Sequence, residues 1–488
     1  MLDLLPDTGL GQGFAVAFVV LDVLLRIVAV LVVPYNRRPP AAMAWLLLIM
    51  VQPIAGWIVF ATLGHNRLPR MRRRKMLALQ DVIGEVTRDI PDEEDPQRSA
   101  EWLPGVLQML RAQTSLPHLG GNACVIHDDF PEQVEAMARA IDGAQRYVHA
   151  EFYLIVSSEA TEPFFAALER ARARGVEVKV LVDHITSVRY PRRKETVARL
   201  EAMGARWQDM LPLRPWRGQW QRPDLRNHRK LVVIDGDVGF TGSLNLVDPS
   251  YLWSKNVKRG LEWKDTWLEV RGPVVREIDV LFLSDWWAET NELVDQGVGD
   301  PARPGEVEAS VVPSGPGFEG ENNLRLFLEC IHTAVDRITI VSPYFVPDDA
   351  MSYAITSAAM RGVQVDLFAS AIGDQFWTFH AQRSYYETLL RAGVRIWLYR
   401  EPIVLHSKFM VFDGEHSIFG SSNIDMRSFG LNFEISMLLE GPEMAGRLQE
   451  IAERYRRESS ELTLEAWLER PRVGQIFDNV ARLTSALQ

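Results

Sequence analysis

His228-Arg229-Lys230-Leu231-Val232-Val233-Ile234-Asp235 decides the reading of this chain, because the pattern returns as His406-Ser407-Lys408-Phe409-Met410-Val411-Phe412-Asp413. In an extended segment residues two apart share a face, so His228 and Lys230 can reach one ligand together, and so can His406 and Lys408. Gly242-Ser243-Leu244-Asn245 follows the first motif and Gly420-Ser421-Ser422-Asn423 the second, with 17 residues from histidine to asparagine in each. A single match would be weak evidence; two at one spacing are strong.

Working outward, the same order of elements surrounds both motifs, as duplication of one α/β unit would give. The first copy predicts a helix near Phe130 to Asp142, a strand from Tyr147 to Val156 and a strand over Val176 to Val182. The second predicts a helix over Leu324 to Asp336 and strands at Ile338 to Val341 and Val363 to Phe368. Gly175 matches Gly362 at an offset of 187 and Gly204 matches Gly393 at 189, whereas the motif histidines differ by 178. The first copy therefore carries about eleven extra residues in Pro212 to Arg222, rich in Arg and Trp, which fits either a loop at lipid headgroup level or an ordinary surface loop. Alternation of strand and helix makes each copy an α/β sandwich around a mixed sheet.

These residue types suit phosphodiester chemistry. The anionic diester must be neutralised before a nucleophile approaches, and two lysines, two asparagine amides and nearby hydroxyls can surround its oxygens. One neutral imidazole can attack phosphorus while the other, protonated, gives its proton to the leaving alkoxide. Spacing alone leaves the two histidines interchangeable. Each needs its second nitrogen held, and Asp265 and Glu434, which follow the motifs, are the carboxylates available for it. Asp235 and Asp413 sit at the far ends of the motif strands beside Gly236 and Gly414 and read as turn-shaping residues.

The N-terminus points to a membrane. Phe14 to Val33 is apolar apart from Asp22 and Arg26, four apart on one helical face where they can pair. Ala41 to Leu63 carries only Gln52 as a strongly polar residue, so the two runs read as a transmembrane helical hairpin turning at Asn36 to Pro40. Acidic Asp3 and Asp7 stand where a cleaved signal would be basic. Arg67, Arg70, Arg72, Arg73, Arg74 and Lys75 outnumber Arg37 and Arg38 in the turn, which places the C-terminal body in the cytoplasm.

A polar stretch holding Pro91-Asp92-Glu93-Glu94-Asp95-Pro96 reads as a solvated linker, and Gln296 to Gly305 as a connector between the copies. The expected organisation is a hairpin with basic flank at 1–75, a linker at 76–113, and α/β copies at 114–295 and 296–488. A formal net charge of −11 argues against nucleic acid as the main partner, and two cysteines, Cys124 and Cys330, indicate neither a disulfide framework nor a thiolate metal site.

At its paired motifs the sequence resembles the phospholipase D superfamily, whose members join two such motifs across a pseudo-two-fold axis. With the N-terminal hairpin, Tyr344-Phe345-Val346-Pro347 and its overall length, it looks like a bacterial cardiolipin synthase over essentially all of the chain. That resemblance implies transfer of a phosphatidyl group between two phosphatidylglycerol molecules, giving cardiolipin and glycerol in the bacterial inner membrane. A site whose charge is complemented by its own lysines and amides needs no metal or cofactor, and none of the other eight histidines sits in a recognisable metal-binding spacing; a homo-oligomer is compatible with this reading. The resemblance assigns His228 as the phosphatidyl-histidine and His406 as acid and base, with Lys230, Lys408, Ser243, Asn245, Ser421 and Asn423 on phosphate, and carries Asp235 and Asp413 along in the catalytic motif. A hydrolase of the same superfamily, or another phosphatidyltransferase, stays open, because water or an alcohol can resolve the intermediate.

Overall fold

The protein is described by a computed structural model covering residues 9–35, 37, 39–64, 68–93, 100–217, 219–294, 301–318 and 320–483. Asp3, Asp7, Asn36, Arg38, Arg67, Glu94 to Pro96 and Gln296 to Asp300 lie outside these residues. The chain divides into two compact units, Met1–Arg67 with Arg222–Asp224, and Leu68–Gln221 with Leu225–Gln488.

The first unit contains helices Gly9–Val32, Pro39–Val51 and Pro53–Leu63. Residues Gly13–Val32, with mean hydropathy 2.7, form one helix long and apolar enough to cross a membrane. The second apolar run differs from the expected continuous span: it breaks at Gln52, where φ is −138° and ψ 87°, ahead of Pro53. Proline lacks an N–H, and its ring drives the preceding residue out of the helical region. Helix Pro39–Val51 thus ends with carbonyls that have no partner in the next turn. Arg26 meets one of them, donating to the Met50 carbonyl at 2.6 Å, while it pairs with Asp22 at 2.8 Å. Trp57 similarly donates its indole N–H to the Leu25 carbonyl at 2.9 Å.

The second unit is built on one sheet of 16 strands among the described residues. Its first copy supplies β1 (Leu119–His127), β2 (Tyr147–Phe152), β3 (Glu177–Asp183), β4 (Arg206–Met210), β5 (Leu231–Ile234), β6 (Val238–Gly242) and β7 (Trp267–Arg271). The second supplies β8 (Val307–Ser314), β9 (Arg337–Val341), β10 (Gln364–Ser370), β11 (Arg395–Tyr399), β12 (Phe409–Phe412), β13 (His416–Gly420) and β14 (Asn432–Glu440). Apart from the edge strand Ser459–Leu462 beside β11 and the two-residue Arg226–Asn227 beside β14, the order β11-β10-β9-β12-β13-β14-β8-β1-β7-β6-β5-β2-β3-β4 reads the same from either end when each strand is exchanged for its repeat partner. The two copies are therefore mirrored about the antiparallel β1–β8 seam, where Leu119 faces Ala309.

The motif strands β5 and β12 lie inside this sheet, which is why they are apolar on both faces. Leu231 and Val233 share a core with helices Val275–Thr290 and Pro442–Arg457, whereas Val232 and Ile234 pack against helices Phe130–Asp142 and Glu162–Ala173. Phe409 and Val411 join the first of these cores, while Met410 and Phe412 face helices Asn322–Thr333 and Asp349–Met360. The stretch expected to be a solvated linker instead contains helices Arg70–Thr87 and Leu103–Thr114. Leu103, Val106, Leu107 and Leu110, at helical spacing, pack with Val312, Leu324 and Phe327 of the second copy.

Candidate active site

Each motif histidine enters its strand from a short segment stitched to the other copy. Arg226–Asn227 runs parallel to Asn432–Phe433, and the His228 N–H donates to the Phe433 carbonyl at 2.8 Å. Ile403–Leu405 runs parallel to Glu262–Lys264, and the His406 N–H donates to the Lys264 carbonyl at 2.8 Å. The residue after each accepting carbonyl is a carboxylate. Glu434 consequently meets His228 Nδ1 at 2.9 Å, and Asp265 meets His406 Nδ1 at 2.6 Å. The pairing is crossed: the carboxylate that follows one motif holds the histidine of the other. With Nδ1 held this way, each imidazole turns Nε2 away from its carboxylate.

Ser421 donates its hydroxyl to Glu434 at 2.5 Å and takes the Ile435 N–H at 3.0 Å, so it braces the carboxylate. Ser243 plays the matching part, accepting the Thr266 N–H at 3.0 Å and bonding the Asp265 carboxylate. Lys230 and Lys408 each donate Nζ to the carbonyl of the histidine in their own motif, at 2.7 and 2.6 Å. Asn245 donates to the Tyr251 hydroxyl at 2.8 Å, while the side-chain oxygens of Asn245 and Asn423 are buried without a protein partner.

The two pairs differ electrostatically. Burial, then Lys230 and Lys408, hold His228 well below the ordinary imidazole range, and burial pushes the Glu434 carboxyl up to about 7 against the pull of Lys230. Both changes favour uncharged partners. Burial also lowers His406, opposed by Asp265, yet the Asp265 carboxyl stays below its ordinary value because His406 and Lys408 outweigh burial. This second pair is the better holder of a proton on imidazole. Burial brings Lys230 down to about 7 and Lys408 to about 8, so a diester anion arriving between them would restore their charge.

His228, His406, Asn245 and Asn423 open on one cleft of about 580 Å³. Its walls also include Tyr153, Tyr251, Trp263, Tyr344, Arg226 and Arg427, none of which the motifs pointed out. Tyr153 meets the His228 ring at 5.0 Å, and Tyr344 meets His406 at 6.4 Å. Both tyrosines follow the strand that pairs with a motif strand, β2 and β9, so alignment of the two copies held the signal for them.

Asp235 and Asp413 are placed elsewhere, at the closed end of the motif hairpins, which corrects their inclusion with the catalytic residues. Asp235 accepts the backbone N–H groups of Gln145, Arg146 and Tyr147 at 2.7, 2.8 and 2.8 Å. Asp413 accepts those of Val335, Asp336 and Arg337 at 2.9, 2.8 and 2.8 Å. Both aspartates and the glycines after them adopt positive φ, as these tight turns require.

Two mirrored α/β copies on one sheet, with crossed imidazole–carboxylate pairs meeting in one cleft, define a protein of the phospholipase D-like class. The family model described as "Cardiolipin synthase, PLD-like domain" matches residues 137–286 and 327–456, more than half of the chain, and the chain belongs to that family. Among curated relatives, "Cardiolipin synthase A" of Proteus mirabilis (strain HI4320) is 29% identical over 460 residues, covering 93% of this chain and 94% of the relative. "Cardiolipin synthase A" of Pectobacterium carotovorum subsp. carotovorum (strain PC1) is 28% identical over 484 residues, covering 98% and 97%. A solved structure of phosphatidylserine synthase from Haemophilus influenzae Rd KW20 superposes with a TM-score of 0.60 at 14% identity, covering 79% of this chain and 99% of that one, a likeness of fold.

Proposed function

We propose that this chain is a phosphatidyltransferase that makes cardiolipin and glycerol from two molecules of phosphatidylglycerol. The observation that carries the chemistry is the crossed pair of buried imidazoles, each held at Nδ1 and both facing one cleft beside two lysines. His228 Nε2 attacks the phosphorus of the first phosphatidylglycerol. The bond to the headgroup glycerol breaks, and its alkoxide takes the proton of His406. The phosphatidyl group rests on His228 until a hydroxyl of the second phosphatidylglycerol gives its proton to His406 and attacks. The phosphorus–nitrogen bond then breaks, cardiolipin leaves, and both histidines return to their starting states. Lys230, Lys408, Asn245 and Asn423 stabilise the charge that builds on the non-bridging oxygens.

The near-full-length likeness to proteins named cardiolipin synthase A supports the substrate assignment. Both apolar N-terminal runs hold the enzyme in the bacterial inner membrane, the second as a broken helix, and the basic residues Arg70 to Lys75 keep the catalytic body on the cytoplasmic side. Purified protein in vesicles of phosphatidylglycerol should release glycerol and form cardiolipin in equal amounts. Phosphatidic acid as the sole lipid product would instead make it a hydrolase.

A further inference from the structure

Helix Arg472–Arg482 turns its polar anchor inward and its apolar stripe outward. Asp478 is buried, 2.7 Å from His380 Nδ1, 2.7 Å from Arg470 and 3.4 Å from Arg383. Val473, Ile476, Phe477 and Val480, with Leu483 just beyond, stand exposed at the i, i+3, i+4, i+7 and i+10 positions of one stripe. A helix packed on a protein body ordinarily buries such a stripe; here the bonds of Asp478 to His380, Arg470 and Arg383 fix the opposite orientation.

The stripe continues to the cleft. Phe477 lies 6.3 Å from the His380 ring, His380 4.5 Å from Phe376, and Phe376 5.6 Å from Trp377. Phe376 and Trp377 are each more than half exposed, and Trp377 lines the cleft wall. The flanking Arg472 and Arg482 are exposed, while the helix's one acidic residue, Asp478, is tucked away. The first copy adds exposed Trp253 and Val257 among Lys255, Lys258 and Arg259, shortly after the cleft-lining Tyr251.

We propose that this stripe is a docking surface for an anionic bilayer, which seats the Phe376–Trp377 lip at the lipid interface and lets a phospholipid pass from the bilayer into the cleft. The occupant is a membrane because the stripe is continuous with a cleft assigned to anionic lipid, is flanked by arginines, and belongs to a chain with its own helix of membrane-spanning length. The inference rests on the lipid reading above.

The test uses full-length protein reconstituted in phosphatidylglycerol–phosphatidylcholine vesicles, in a Cys124→Ser background. A fluorophore at Ile476→Cys should be quenched about 2-fold or more by acyl-chain nitroxide lipids, since such stripes sink roughly 5–10 Å into the interface. One at Val335→Cys, an exposed residue beside the distant Asp413, should not be. Quenching by aqueous iodide alone at position 476 would overturn the proposal. In a second measurement, the double variant Ile476→Asp with Phe477→Asp should turn over vesicle phosphatidylglycerol about 10-fold more slowly, yet handle short-chain, monodisperse phosphatidylglycerol like wild type. An equal fall on both substrates, no fall on either, or loss of chain–chain association as the sole effect would each overturn it. Quenching reads docking without turnover, so quenching at position 476 in a wild-type chain that leaves short-chain phosphatidylglycerol untouched would uphold docking and count against the catalytic reading.

Discussion

Glu434 holds the Nδ1 nitrogen of His228 at 2.9 Å although 206 residues separate them, and Asp265 holds His406 at 2.6 Å in the mirrored arrangement. Each copy thus supplies the imidazole of one half-site and the carboxylate of the other. The parallel stitches of Arg226–Asn227 on Asn432–Phe433 and Ile403–Leu405 on Glu262–Lys264 are what fix this exchange.

Replacing either carboxylate should therefore disable the histidine of the other copy. Glu434→Gln and Asp265→Asn should each lower kcat by about 10- to 100-fold while the fold persists, the usual effect of releasing a partner that orients an imidazole. The check is steady-state glycerol release alongside thermal unfolding. An unchanged kcat in either variant would remove the crossed pairs from the mechanism.

The aspartates that end the motifs predict the reverse. Asp235 accepts three backbone N–H groups across the β2–β5 edge, so Asp235→Ala should cost roughly 3 kcal/mol of stability by stranding those donors. Activity per folded molecule, measured at low temperature against the folded fraction, should stay within about 2-fold of wild type, because the turn lies seven residues from His228 along an extended run, roughly 20 Å away. A large loss of kcat in fully folded protein would return Asp235 to the catalytic set.

The pH profile follows from the buried lysines. Both are needed as cations, and burial lowers Lys230 to about 7 and Lys408 to about 8, so raising pH through that range removes charge from the free enzyme. On the acid side His228 must be neutral, and its depressed affinity for protons postpones that loss to pH well under the ordinary imidazole value. His406 must carry its proton as well, and burial lowers it from its ordinary value, so a plot of kcat/KM should already be falling as pH rises through the ordinary imidazole range and fall again where the lysines lose charge, at about pH 7 to 8. A value still climbing at pH 9 would contradict the assignment.

In the N-terminal unit, Arg26 both pairs with Asp22 and caps the Met50 carbonyl at the Gln52–Pro53 break. Arg26→Leu leaves Asp22 as a lone carboxylate in an apolar helix, which costs about 2.5–3.5 kcal/mol at the centre of a membrane. The level of membrane-integrated protein, read by alkaline extraction of membranes, should drop for Arg26→Leu. It should largely recover in the double variant with Asp22→Leu. No recovery would mean the pair does not serve insertion.

Much of this was legible in residues before any coordinates. Two copies of one motif at matched places in a repeat imply a shared site, and the carboxylates that follow them are visible as Asp265 and Glu434. The crossing was not legible, because local order says nothing about which copy a segment stitches to; that depends on long-range strand pairing. Pro53 carries the signal of the helix break inside an apolar run, because a missing N–H interrupts a helix whatever its hydropathy. Leu103, Val106, Leu107 and Leu110 carried a helical stripe inside a stretch that polar composition made look like a linker. Tyr153 was hidden for another reason, sitting past a strand end where neither period nor motif marks it, whereas Tyr344 stood in the quoted Tyr344-Phe345-Val346-Pro347 without a place in the site.

The asymmetry between the copies gives the last prediction. Behind His228, buried Arg229 donates Nε to the Glu434 carbonyl at 3.1 Å and pairs with Asp285; behind His406 the matching residue is Ser407, bonded to the Tyr455 hydroxyl at 2.9 Å. A neutral His228 suits nucleophilic attack, and a His406 tied to an ionised Asp265 suits holding the proton for the leaving alkoxide. A phosphatidyl ester of p-nitrophenol leaves without a proton, so it bypasses the acid but still needs the nucleophile. His406→Asn should then give a burst of about one p-nitrophenolate per site followed by near-arrest, since the same variant lacks the base for the second step. His228→Asn should give no burst. A burst from His228→Asn and none from His406→Asn would exchange the two roles, and with them the donor and acceptor sides of the cleft.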